Sequence, residues 1–204
     1  MSFVLVLMTM PVVRLDGQLS FIRMSLAPCE VPKLLERHRD RYKGSDKVEQ
    51  RATKLIAGNF PAADSLAFIE AVCKLGRGQR NFSRIEVAGG ARIAQSLASA
   101  TKAIEGGDVT LAIGELSRLP HLGFSFASKV ARFLAPDKCV VLDSVIRSRI
   151  GYLDSNVGYT RFLQDCFQLL QLLQQSSDLE STLRDSLRVC DVEAAVFMKA
   201  KEEQ

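Results

Sequence analysis

The chain has 204 residues, of which 47% are hydrophobic and 25% charged, with a formal net charge of +4. An apolar content this high excludes disorder as the main state, and the length allows one or two small domains with a buried core. The longest apolar run, Phe3 to Val13, is broken by Thr9 and Pro11, falls short of the roughly 18 residues a membrane helix needs, and lacks the basic leader of a signal peptide.

Five cysteines (Cys29, Cys73, Cys139, Cys166 and Cys190) stand far apart, with no C-x-x-C spacing, and the only histidines are His38 and His121. No set of ligands follows from that pattern, so neither a metal nor any other cofactor is expected. An odd number of cysteines without a secretory leader reads as free thiols in a reducing cytoplasm. The positive surplus is local: Lys33, Arg37, Arg39, Arg41, Lys43, Lys47, Arg51 and Lys54 crowd one stretch. That stretch fits a solvated helical face and a phosphate-facing patch equally well.

In chain order, Val12, Val13 and Leu15 and then Leu19, Phe21 and Ile22 flank Asp16-Gly17, a dipeptide suited to a tight turn, and predict a short β-hairpin. After Pro28 and Pro32 the pattern becomes helical throughout. Periodicity and punctuation predict helices over 32–43, 47–57, 64–75 (capped by Asp64), 91–105 and 108–119 (capped by Asp108). Gly76 to Asn81 reads as a loop rich in hydrogen-bond donors. Beyond residue 150, helices are predicted over 160–175, 179–188 and 192–199. The chain is expected to be mainly α, with a short N-terminal β-hairpin.

The chemistry concentrates in Leu119 to Asp143, LPHLGFSFASKVARFLAPDKCVVLD. Pro120 cannot continue the preceding helix, Gly123 allows a reversal, and a second helix follows with Phe126, Val130, Phe133 and Leu134 as its apolar stripe. A short hairpin between two helices gathers unpaired backbone N–H groups at one point, which favours an anion such as a DNA phosphate. Asp143, after Val140-Val141-Leu142, suits either of two roles. It is a plain N-cap of the next helix, or a carboxylate at a cleft wall, able to stabilise positive charge on a sugar and to polarise a water.

This segment resembles the signature of the helix-hairpin-helix DNA glycosylase superfamily, in which the hairpin reads L-P-G-x-G and an essential aspartate follows an apolar stretch at a V-D or L-D step. About 60 residues, 91 to 150, carry the resemblance. It implies a two-lobed helical fold: residues 1–60 packing with a C-terminal lobe at 146–204, and a helical domain at 61–145 containing the helix-hairpin-helix at 108–135. It implies a DNA glycosylase that flips a damaged or modified base out of double-stranded DNA and hydrolyses its N-glycosidic bond, in base-excision repair or in defence against modified phage DNA. Asp143 becomes the catalytic acid, and Pro120, His121, Leu122, Gly123, Ser125, Lys129 and Arg147 become DNA-binding residues. Ser125 stands where bifunctional relatives carry a Schiff-base lysine, eighteen residues before Asp143, so an abasic product without strand cleavage is implied.

The chain departs from the pattern in two places: His121 replaces the first hairpin glycine, and the C-terminal four-cysteine cluster of many relatives is missing. Lys129 is weighed between phosphate contact and solvent. Glu70, Gln79, Arg80 and Asn81 are candidates for the pocket or for contacts to the opposite strand, each set against a plain surface role. A cytoplasmic monomer acting on DNA, away from membranes, is the expectation. The competing reading is a non-enzymatic helix-hairpin-helix DNA-binding module, which has no use for the acid at 143.

Overall fold

The computed structural model describes residues 13–15, 18–21 and 23–202. Three short antiparallel strands, β1 (Val13–Leu15), β2 (Gln18–Phe21) and β3 (Met24–Leu26), form a sheet of order β1-β2-β3. The expected hairpin is the β1–β2 pair, with Leu15 opposite Gln18; its turn residues Asp16 and Gly17, and Val12 and Ile22, lie outside the described residues. The third strand had no signal in the sequence, because only Met24 and Leu26 alternate inward around Ser25. Leu26 pairs with Leu19, and both are buried.

The remainder is helical: α1 (Val31–Arg41), α2 (Ser45–Ala57), α3 (Ala62–Leu75), α4 (Gln79–Ile85), α5 (Gly90–Glu105), α6 (Val109–Ser117), α7 (Phe124–Leu134), α8 (Ser144–Ile150), α9 (Asn156–Gln174), α10 (Ser181–Ser186) and α11 (Val189–Glu202). The protein is mainly α, as its periodicity predicts. Among the described residues no helix is long and apolar enough to cross a membrane.

Two local expectations are corrected. The helix assigned to begin at Asp64 begins at Ala62, preceded by Pro61, whose fixed φ leads directly into the first turn. Asp64 makes no cap and sits inside that turn, where its charge complements the helix dipole. The donor-rich loop is also shorter than expected. Only residues 76–78 are non-helical, and Gln79, Arg80 and Asn81 form the first turn of α4. Asp108 does cap α6, accepting from the Leu111 N–H at 2.8 Å.

Two helices carry the centre. Along α7, Ala127, Ser128 and every residue from Val130 to Leu134 are buried. The helix packs against α2, α3, α5 and α6 at once, and only the side of Ser125 and Lys129 stays partly open. In α11, Val192 to Met198 are all buried, enclosed by α1, α8, α9 and β3. The N-terminal strands and α1 thus close over the C-terminal helix. Next to α7, the basic residues of α1 and α2 lie outside: Leu34, Val48, Ala52 and Leu55 point inward, whereas Lys33, Arg39, Arg41, Lys43, Lys47 and Lys54 are exposed.

Candidate functional site

The segment between α7 and α8 is an extended run held by side chains on its neighbours. Cys139, Val140 and Leu142 are fully buried. Tyr159 on α9 clamps Val140 from both sides, its hydroxyl accepting from the Val140 N–H at 3.3 Å and donating to the Val140 carbonyl at 3.2 Å. On α7, Ser128 Oγ accepts the Leu142 N–H at 3.3 Å and donates to the Ser125 carbonyl at 2.9 Å. The run therefore enters α8 at a set height, and Asp143 is delivered to the junction. Its Oδ1 accepts the N–H groups of Val145 (2.9 Å) and Ile146 (3.1 Å), which caps α8 and leaves Oδ2 outside the cap.

Asp143 also lines a cavity of about 240 Å³. That volume is below the roughly 300 to 1,000 Å³ of pockets for drug-sized ligands and suits a small planar group. One wall is aromatic. His38 and Tyr42, from the end of α1, have ring centroids 4.8 Å apart, and Phe197 of α11 lies 5.9 Å from Tyr42 and 6.3 Å from His38. The other lining residues are largely polar: Ser125, Lys129 and Arg132 from α7, Asp143 and Ser144, and Glu193 from α11.

The charges here are arranged rather than scattered. Lys129 Nζ donates to Ser125 Oγ at 3.0 Å and lies 5.0 Å from the centre of the Phe126 ring. Burial lowers the Lys129 pKa from the usual ammonium range, against the opposing pull of Asp143 and Glu193. Arg132 NH1 is tied to Glu49 Oε1 at 2.6 Å, and Glu49 Oε2 accepts from Arg188 at 2.9 Å, a bridge that joins α2, α7 and the start of α11. Burial pushes the Glu193 carboxyl up to about 8, with Asp143 adding to the rise and Arg132 and Lys129 opposing it. Burial brings the His38 imidazole down to about 4, helped by Arg132, so it is neutral at pH 7.

An open depression shares Leu75 and Arg77 with the cavity. Arg41, Lys43, Lys74 and Arg77 ring it, with Asp40 as the one acid on its lining. Part of the basic stretch of α1 thus borders the cavity mouth. Arg77 is held there at φ +57°, between Gly76 and Gly78.

Several sequence-predicted residues converge on this place: Asp143, Ser125 and Lys129 share the cavity. Lys129 points into it rather than outward to a phosphate. In the connection before α7, Leu119, Pro120, His121 and Leu122 form a tight turn closed by the Leu122 N–H on the Leu119 carbonyl at 3.1 Å. His121 occupies its left-handed position (φ +60°), where glycine is favoured, and its side chain is exposed. Leu122 is buried, 1% exposed, and plugs the core, so its side chain is not open to a partner; that burial stabilises the turn by about 1.5 to 3 kcal/mol. Gly123 is exposed at the start of α7, which has no side-chain cap; the Phe126 N–H bonds the Gly123 carbonyl at 2.9 Å, which leaves those of Phe124 and Ser125 for an anion. Arg147 pairs with Asp154 and reaches back to the Asp143 carbonyl.

Other candidates do not reach the cavity. Glu70 pairs with Lys74 at 2.6 Å on the outer side of α3, and α3 contributes Val72 and Leu75 to the lining instead. Gln79 and Arg80 are exposed on α4, Asn81 is half-buried, and none of the three lines the cavity; Arg77 takes that position. Sequence reasoning missed Glu193, although a lone acid inside Val192 to Met198 is a legible anomaly. It also missed the aromatic wall, whose members come from distant segments and carry no local signal. No family model, curated protein or solved structure matches this chain.

Proposed function

We propose that the protein is a DNA glycosylase that accepts a base extruded from double-stranded DNA and hydrolyses its N-glycosidic bond, leaving an abasic site. The carrying observation is Asp143, which caps α8 through one oxygen while lining a cavity with an aromatic wall and a basic rim. The cap holds the carboxylate rigidly, as charge stabilisation at a developing oxocarbenium requires. Its free oxygen polarises the water that attacks C1′. The uncapped start of α7 and the ring of Arg41, Lys43, Lys74 and Arg77 supply backbone-phosphate contacts that carry no sequence information. His38, Tyr42 and Phe197 offer a face for a flipped heterocycle.

Such an enzyme needs no metal, and we place it in the cytoplasm as a monomer, in base-excision repair or in defence against modified phage DNA. The test is mass spectrometry of free bases released from a panel of damaged and phage-modified DNAs, with Asp143→Asn as the control. Base release by the wild type and not by the variant is expected. DNA binding without base release from any member of the panel leaves the non-enzymatic DNA-binding module as the better reading.

One observation favours a covalent variant of the same reaction. Lys129 brings an amine into the cavity one turn from Ser125, the position where the sequence resemblance implied that none was present. A deprotonated Lys129 attacking C1′ would displace the base, and opening of the C1′–O4′ bond would then give an imine from which the 3′-phosphate can be eliminated. The Asp143 carboxylate favours the ammonium against the effect of burial, and the ammonium is engaged with Ser125, which supports the hydrolytic reading.

A further inference from the structure

Glu193 is an acid in the cavity that neither the sequence pattern nor the hydrolytic mechanism uses. We propose that Glu193 reads the extruded base, its carboxyl donating a hydrogen bond to a carbonyl oxygen or unprotonated ring nitrogen on the base edge while the base lies against His38, Tyr42 and Phe197. This rests on the glycosylase reading and deepens it, because it selects bases that turn an acceptor toward α11.

The argument starts from burial. Glu193 is 5% exposed in a helix whose neighbours from Val192 to Met198 are all buried, yet its side chain lines the cavity. No ion pair holds it among the described residues: the Arg132 guanidinium is engaged with Glu49 at 2.6 Å and Lys129 with Ser125 at 3.0 Å. An unpaired buried carboxylate is costly, and the group lowers that cost by keeping its proton. Burial outweighs the neighbouring groups, most of which favour the ionised form. From α7, Arg132 and Lys129 favour the anion, as does the Val141 backbone, and Asp143 at the start of α8 opposes it. Facing it from α1 are His38, held neutral, and Tyr42, and from α9 Tyr159 and Cys166, all three of the latter with pKa values raised by burial. The balance leaves the carboxyl protonated up to about pH 8.

A neutral carboxyl, unlike a carboxylate, has an O–H to donate. With no ion pair holding Glu193 among the described residues, its hydroxyl is left for the cavity's occupant. When the glycosidic bond breaks, its electron pair moves onto the base, and a hydrogen bond to an acceptor on that ring strengthens as the charge builds. Ionised Glu193 reverses the sign of the contact and repels the same atom. The two carboxyls thereby divide the work, Asp143 at the sugar and Glu193 at the base.

The experiment measures single-turnover base release by the full-length protein between pH 6 and 10. Its probes are three DNAs: one treated with methyl methanesulfonate, one deaminated with nitrous acid and one carrying hydroxymethylcytosine. The wild-type rate should fall by about tenfold per pH unit above about pH 8. Glu193→Gln, whose amide keeps a donor without titrating, should lack that descending limb. Glu193→Leu should release base at least tenfold more slowly at pH 7, with an unchanged circular dichroism spectrum and unchanged retention of DNA in a gel shift. The same limb in Glu193→Gln, or a wild-type rate in Glu193→Leu, overturns the proposal while leaving the glycosylase reading intact. No release by the wild type from any of the three DNAs overturns the glycosylase reading and this proposal with it.

Discussion

Lys129 Nζ lies 3.0 Å from Ser125 Oγ, one helical turn along the face of α7 that lines the cavity. On the proposed glycosylase reading, a serine paired with a lysine in this way offers a cation at the cavity without requiring it to be the nucleophile. The hydrolytic reading expects that borohydride added to the protein and an abasic duplex traps no adduct, and that the abasic product breaks only on treatment with alkali or amine. A trapped adduct that disappears in Lys129→Gln moves the mechanism to the imine route.

Asp143→Asn separates chemistry from folding. Asparagine caps a helix about as well as aspartate, so α8 keeps its two N–H bonds and unfolding free energy should change by less than about 0.5 kcal/mol. Base release should be lost at the same time, with DNA affinity equal to or higher than wild type. Asp143→Ala, by contrast, should lose about 1 kcal/mol in urea unfolding as well as activity. If Asn retains full release, Asp143 is a cap and nothing more.

Gly78 lets the rim of the cavity close on α7. A Cβ at this position would overlap the Phe126 ring, which also lies close to Gly76 and to the Lys129 ammonium. Gly78→Ala should therefore destabilise the protein by about 1 to 3 kcal/mol, as overpacking does, and move Arg77 at the mouth. Chemical denaturation measures the first effect. A stability equal to wild type would mean that Phe126 yields freely.

The hairpin turn carries strain at His121, whose φ of +60° is a glycine conformation. His121→Gly should relieve it and raise stability by up to about 1 kcal/mol, less the added entropy of the unfolded chain. Because the exposed imidazole contributes no packing, thermal unfolding reads the strain directly. A loss of stability would point to contacts of the imidazole that outweigh the strain.

Glu193 also sets a pH dependence of stability, and its sign is opposite to that of a salt-bridged acid. The folded-state pKa is about 8 against an ordinary 4.5, so between these values the folded protein holds a proton that the unfolded chain releases. Its contribution is most favourable below the ordinary value and declines as pH rises to about 8, by an amount on the order of a few kcal/mol. Urea unfolding of wild type and Glu193→Gln at pH 5 and pH 8.5 should show the variant gaining relative stability at the higher pH. A constant difference between the two proteins would remove Glu193 as the titrating group.

Much of this molecule was legible along the chain because the relevant physics is local. Apolar residues at helical spacing placed α1, α2, α5, α6 and α9 to within a few residues, since only a helix puts such positions on one face. Pro120, the short turn and Asp143 declared themselves through what they do to the backbone immediately beside them, as did the Asp108 cap. Which side chains meet was decided by packing. Leu122 became core, Lys129 turned inward, and Glu70 stayed with Lys74 on the outside, because burial depends on the helix opposite and leaves no mark on neighbouring residues. The cavity's most consequential members, Glu193 and the ring trio of His38, Tyr42 and Phe197, come from α1 and α11, more than a hundred and fifty residues apart. Only the closure of the first helix over the last brings them together, and only that enclosure removes the water that would otherwise keep Glu193 ionised.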